Sequence, residues 1–176
     1  SPPSGAEGVG VNGNYSVRFD ERMNPINFDM RNNQLLNVQF SEDNQVVRYE
    51  RQGTLTPSTE VTETVLAMVD LSGNEVVSVS STFTTADSPD FTAPTAIGSL
   101  SGTVATSPVI AWTFSEAIDP VSLTSSGVYL RDTLNDVVVP TTLGLSVDGK
   151  RVDIVPTEAL AVGRSYRYYA YYLRDI

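Results

Sequence analysis

Two stretches of this chain hold acids in the same setting. Phe19-Asp20-Glu21-Arg22-Met23-Asn24-Pro25 and Phe114-Ser115-Glu116-Ala117-Ile118-Asp119-Pro120 share an aromatic residue, a glutamate, an apolar residue and a closing proline at equal spacing. Three chemistries use such residues. Two carboxyls roughly 5–10 Å apart across a cleft cleave glycosides. Clustered carboxylates hold hard cations such as Ca2+. A side-chain oxygen just before a proline caps the first turn of a helix. Cysteine and histidine are both absent. That removes thiol nucleophiles, disulfides, zinc sites and a Ser-His-Asp triad.

The third use suits Asn24-Pro25 and Asp119-Pro120. One copy has Asn where the other has Asp, which suits a cap and suits an essential charge poorly. Stretches such as Asp119-Pro120-Val121-Ser122-Leu123 then read as single helical turns between strands. Glu21 and Glu116 stay open. A second candidate is the run Tyr166-Arg167-Tyr168-Tyr169-Ala170-Tyr171-Tyr172. Strand alternation puts Tyr166, Tyr168, Ala170 and Tyr172 on a core face and Arg167, Tyr169, Tyr171 and Leu173 on the other. Tyr169 and Tyr171 either stack on a ligand sugar or pair with neighbours across strands. The single tryptophan, Trp112, alternates with Ile110 and Phe114 and reads as core.

The elements that must position these residues are strands. The chain has 176 residues, 40% hydrophobic and 18% charged, enough apolar content for a packed core. Tyr15–Phe19, Val109–Phe114 and Arg151–Val155 alternate with period two, and Ser80–Thr85 is rich in threonine. Asn12-Gly13, Ser72-Gly73-Asn74 and Asp148-Gly149 are turn signals between them. No apolar run is long enough for a membrane helix. The net charge of −10 argues against nucleic acid as a partner. Further landmarks repeat in the same order. Gly53–Val61 parallels Glu158–Tyr166, and Val69–Leu71 parallels Arg174–Ile176. The reading is all-β: two tandem immunoglobulin-like β-sandwiches of Greek-key topology, at 1–86 and 95–176 with a linker at 87–94. The second sandwich lacks its last strand, because it stops where the first continues Ser72–Thr85.

The landmarks together resemble the bacterial Ig-like repeats of S-layer proteins, adhesins and large secreted proteins, the SbsA-type Ig-like domain. The second copy carries Thr92-Ala93-Pro94-Thr95, Phe114-Ser115-Glu116, Asp119-Pro120, Pro156, Leu160, Gly163, Tyr166 and Asp175. The first carries Phe19, Glu21, Pro25, Leu55, Asp70, Gly73 and Asn74, and departs at Asp20, Asn24, Ser58 and Val61. The resemblance implies a non-catalytic spacer in a secreted or cell-surface bacterial protein, with neighbouring repeats as partners and no catalytic residue. The alternatives are a glycan- or protein-binding module using Tyr169 and Tyr171, and a subunit assembling with its own kind through an open sheet edge. Tyr166 after Leu160 and Gly163 reads as a tyrosine corner. In such a sandwich the loop bearing Glu116 shares a pole with Asp175, and that bearing Glu21 with Asp70. The linker adds Asp87 and Asp90. Asp87, Asp90, Glu116 and Asp175 are therefore the candidate metal ligands, with Ca2+ as the ion, although no EF-hand spacing accompanies them.

Overall fold

The structure, a computed structural model, describes residues 1–27, 35–41, 43–65 and 68–176. It divides into two compact units, Ser1–Thr92 with Ile176, and Ala93–Asp175. Residues 87–92 thus go with the first unit. There the Asn12 side chain clasps the Asp90 backbone from both sides, donating to its carbonyl at 2.7 Å and accepting from its amide at 2.8 Å.

The second unit is the more regular. Its strands are β6 (Ala96–Gly98), β7 (Ile110–Phe114), β8 (Val128–Asp132), β9 (Val137–Val139), β10 (Thr141–Leu145), β11 (Arg151–Pro156) and β12 (Tyr166–Ala170). For the first unit the strands are β1 (Tyr15–Arg18), β2 (Leu35–Phe40), β3 (Val46–Arg51), β4 (Glu60–Val65) and β5 (Val79–Thr84), with a 3-10 turn at Pro25–Asn27. In the second unit, β10-β11-β7-β6 form one antiparallel sheet and β12-β8-β9 the other. Alternation drives the packing. Along β11, Val152 and Ile154 are fully buried while Arg151 and Asp153 pair outside at 2.8 Å. From the facing sheet come Val128, Leu130, Tyr166 and Tyr168. Each fully buried aliphatic side chain stabilises by about 1.5–3 kcal/mol. Two sheets meeting over one apolar layer make an Ig-like β-sandwich.

The first unit repeats the plan. The order β1-β3-β2 matches β7-β11-β10, and β4 pairs with β5. Its core joins Tyr15, Val47 and Tyr49 to Phe83 of β5. The match extends to single hydrogen bonds. The amides of Phe19 and Met23 donate to the carbonyls of Gln45 and Asn44; those of Phe114 and Ile118 donate to Lys150 and Gly149. The hairpin turns agree too. The hydroxyls of Ser41 and Ser146 donate to Asp43 and Asp148, and accept from the amides of Val46 and Arg151. Asn44 and Gly149 sit at equivalent turn positions with φ of 56° and 70°, backbone that asparagine and glycine tolerate best. The hydroxyl of Ser41, then the amide of Gln45, hold the Asp43 carboxyl below its ordinary value, and Ser146 with Lys150 does the same for Asp148.

Alternation ends earlier than the tyrosine run suggests. β12 stops at Ala170, and Tyr172 adopts a φ of 59°. That left-handed step turns Tyr172 to solvent, 89% exposed, and lets Leu173 pack on the core. The expectation of Tyr172 on the core face and Leu173 opposite is reversed for this reason.

Candidate functional site

The two acidic turns are built alike. The amides of Asn24 and Asp119 donate to the carbonyls of Val69 and Arg174, at 2.9 and 2.8 Å. Met23 bridges to Asp70, and Ile118 to Asp175. The side-chain Oδ1 of Asn24 accepts the Ile26 amide at 3.0 Å, and that of Asp119 accepts the Val121 amide at 2.8 Å. Both are side-chain caps two residues long, made alike by an amide and a carboxylate. The turn continues as a 3-10 turn in the first unit. In the second it closes through Ser122 N–H donating to the Asp119 carbonyl at 2.9 Å, with no helix formed. Asp119 is 6% exposed, with the Ser122 hydroxyl also on its carbonyl.

The remaining acids divide. Asp70, 5% exposed, accepts from Asn74 Nδ2 and from the amides of Asn74 and Ser72, at 2.6, 2.8 and 2.7 Å. The Asn74 side chain, then its amide, hold this carboxyl below the usual aspartate range. These three hydrogen bonds tie it into the Asp70–Asn74 turn. Glu21 is exposed. In the second unit the carboxylates of Glu116 and Asp175 come within 4.8 Å of each other, both half-buried. Asp90 belongs to the first unit, where its carboxylate accepts the Thr92 amide at 2.8 Å. Asp87 is exposed and accepts from the Ser88 hydroxyl at 3.0 Å.

The tyrosines of β12 also split. Tyr166 makes a tyrosine corner: its hydroxyl accepts the Ala161 amide at 3.0 Å, past buried Leu160 and Gly163 at a φ of 73°. Tyr168 reaches the other sheet. Its hydroxyl donates to the Leu100 carbonyl at 2.9 Å and accepts the Leu100 amide at 3.2 Å, and its ring lies 4.9 Å from that of half-buried Trp112. Gly98 makes room, since a Cβ there would collide with the Tyr168 hydroxyl. On the outer face Tyr169 stands opposite Tyr129 of β8, rings 5.0 Å apart, and stacks on Tyr171 at 5.6 Å. Arg131 lies 5.7 Å from the Tyr129 ring centre. Tyr129 and Arg131 were not singled out by sequence. Their partnership follows from the β8–β12 register, which spacing along one strand does not reveal.

The hydroxyl–carboxylate pairs Ser41–Asp43 and Ser146–Asp148 close hairpin turns. Asp119, the acid nearest Glu116 in sequence, spends its Oδ1 on a backbone amide. Residues 90–169 match the family described as bacterial Ig-like domain. The second unit is thus similar to a bacterial Ig-like domain, and the first, outside the match, shares its strand order and turn bonds. No curated protein matches the chain.

Proposed function

We propose that the chain is a non-catalytic spacer: two Ig-like sandwiches that set distance and carry tension within a secreted or surface-attached bacterial protein of adhesin, S-layer or fibre type. One observation carries this reading. The hydrogen-bonded features that the two copies share are structural: the Asn24 and Asp119 caps, the Ser41 and Ser146 turns, and the Met23–Asp70 and Ile118–Asp175 bridges. What the duplication retained is architecture. Pulling the chain end to end between a bead and a surface tests it. A spacer gives two separate unfolding steps, each lengthening the chain by about 30 nm at roughly 3.6 Å per residue. Smooth extension without steps contradicts it.

The finer form of this reading adds Ca2+ at Glu116 and Asp175, relieving repulsion between two close carboxylates. A melting temperature unmoved between Ca2+ and EGTA removes that addition. A second reading, glycan binding, is favoured by the stacked Tyr129, Tyr169 and Tyr171 rings, of which Tyr171 is 47% exposed. A glycan array silent for the native chain rules it out. Signal lost on Tyr171→Ala supports it.

A further inference from the structure

The outer face of the β8–β12 pair sets like charges side by side. Tyr129 stands opposite Tyr169, and Arg131 opposite Arg167, at successive outward positions of the register. Side chains so placed are about 4.5–5.5 Å apart at Cβ, and like charges there repel. Asp136 offsets one of the two, bonding Arg131 at 2.7 Å. Arg167 is exposed and has no ion pair among the described residues. The chain has 11 basic residues against 21 acidic ones, so composition does not account for two arginines facing each other.

These arginines border the aromatic stack. One two-residue step, about 6.8 Å, separates Arg167 from Tyr169 along β12. Tyr169 stacks on both Tyr129 and Tyr171, at 5.0 and 5.6 Å. The Arg131 guanidinium carbon lies 5.7 Å from the Tyr129 ring centre, which joins the charges to the rings. The face of an aromatic ring is negative and attracts the C–H face of a sugar ring. A guanidinium fork matches a carboxylate with two parallel hydrogen bonds. The face therefore offers a seat for a ring and, one step along, a seat for an acid group.

We propose that this face binds a glycan through an acidic sugar, whose ring lies on Tyr169 and Tyr171 and whose carboxylate meets Arg167 and Arg131. The proposal rests on the glycan reading above and adds the substrate class to it. The carboxylate supplies the counter-charge that the Arg131–Arg167 pair lacks. Nucleic acid fits this face less well. Two arginines suffice for one carboxylate, whereas a phosphate backbone needs a basic stripe and meets a chain of net charge −10.

The test titrates the whole chain in a calorimeter with oligosaccharides of galacturonic acid and of glucuronic acid. Each is run beside the same oligosaccharide with its carboxyls reduced to alcohols. The proposal expects an acidic form to bind at least about tenfold tighter than its reduced form, with a preference that fades in high salt. Arg167→Gln abolishes the preference and leaves binding of the reduced form unchanged, whereas Tyr171→Ala weakens both. The glutamine variant melts no lower than the parent, because a repelling pair has been relieved. Equal binding of acidic and reduced forms, or a preference that survives Arg167→Gln, overturns the proposal and leaves the glycan reading standing. Binding of neither form overturns both. A lower melting temperature for Arg167→Gln gives this arginine a role in the fold and overturns the proposal as well.

Discussion

Asp119 separates a structural turn from a functional charge. Its Oδ1 accepts the Val121 amide at 2.8 Å, and it is 6% exposed. Asn24 makes the same bond to Ile26 at 3.0 Å without a charge. Asp119→Asn therefore keeps the acceptor and shifts stability by less than about 0.5 kcal/mol. Asp119→Ala removes it. Loss of such a cap costs about 1–2 kcal/mol. Urea denaturation followed by Trp112 fluorescence reads the second unit selectively. With a slope of about 1.5 kcal/mol/M, the alanine variant unfolds about 0.7–1.3 M earlier while the asparagine variant tracks the parent. Asparagine as costly as alanine would refute the reasoning, because the charge would then matter beyond the hydrogen bond.

Gly98→Ala should destabilise the second unit by about 1–3 kcal/mol, because the new Cβ displaces Tyr168 from Leu100. Thermal melts of Gly98→Ala, Tyr168→Phe and the double variant should show non-additive losses. Leu130→Ala, at a fully buried site, should cost about 2–5 kcal/mol in the same melts. Acid should weaken both units. The Asp43, Asp70 and Asp148 carboxyls are held below their ordinary 3.8, so their charged forms favour the fold. That stability is fully present above the ordinary value and is lost as pH falls through the depressed ones. Asp148→Asn, which cannot titrate, should flatten the acid limb of a pH–stability curve read at Trp112.

The sequence was most legible where one residue type has one physical use. Pro after Asn or Asp announced the caps at Asn24 and Asp119 without any tertiary knowledge. Leu160, Gly163 and Tyr166 announced the tyrosine corner, because glycine supplies the positive φ and the hydroxyl reaches back to Ala161. Contacts set by strand register were hidden. The Tyr129–Tyr169 stack depends on how β8 aligns with β12, and the Tyr168–Leu100 bonds on which sheet faces which. Tyr172 shows the limit of alternation: a single left-handed residue ends the strand and reverses the faces after it. Burial of Asp70 was hidden as well, since only the folded turn shows that its carboxylate is spent on Ser72 and Asn74.

The central claim is that one sandwich is built twice, with its acidic turn serving as backbone punctuation in both. Amide hydrogen exchange by NMR tests it most directly. The paired amides of Phe19 and Phe114, Met23 and Ile118, and Ile26 and Val121 each have a bonded acceptor. All six should exchange slowly, at least about tenfold below exposed-loop amides. Fast exchange at Ile26 and Val121 while the strands stay protected would contradict the account.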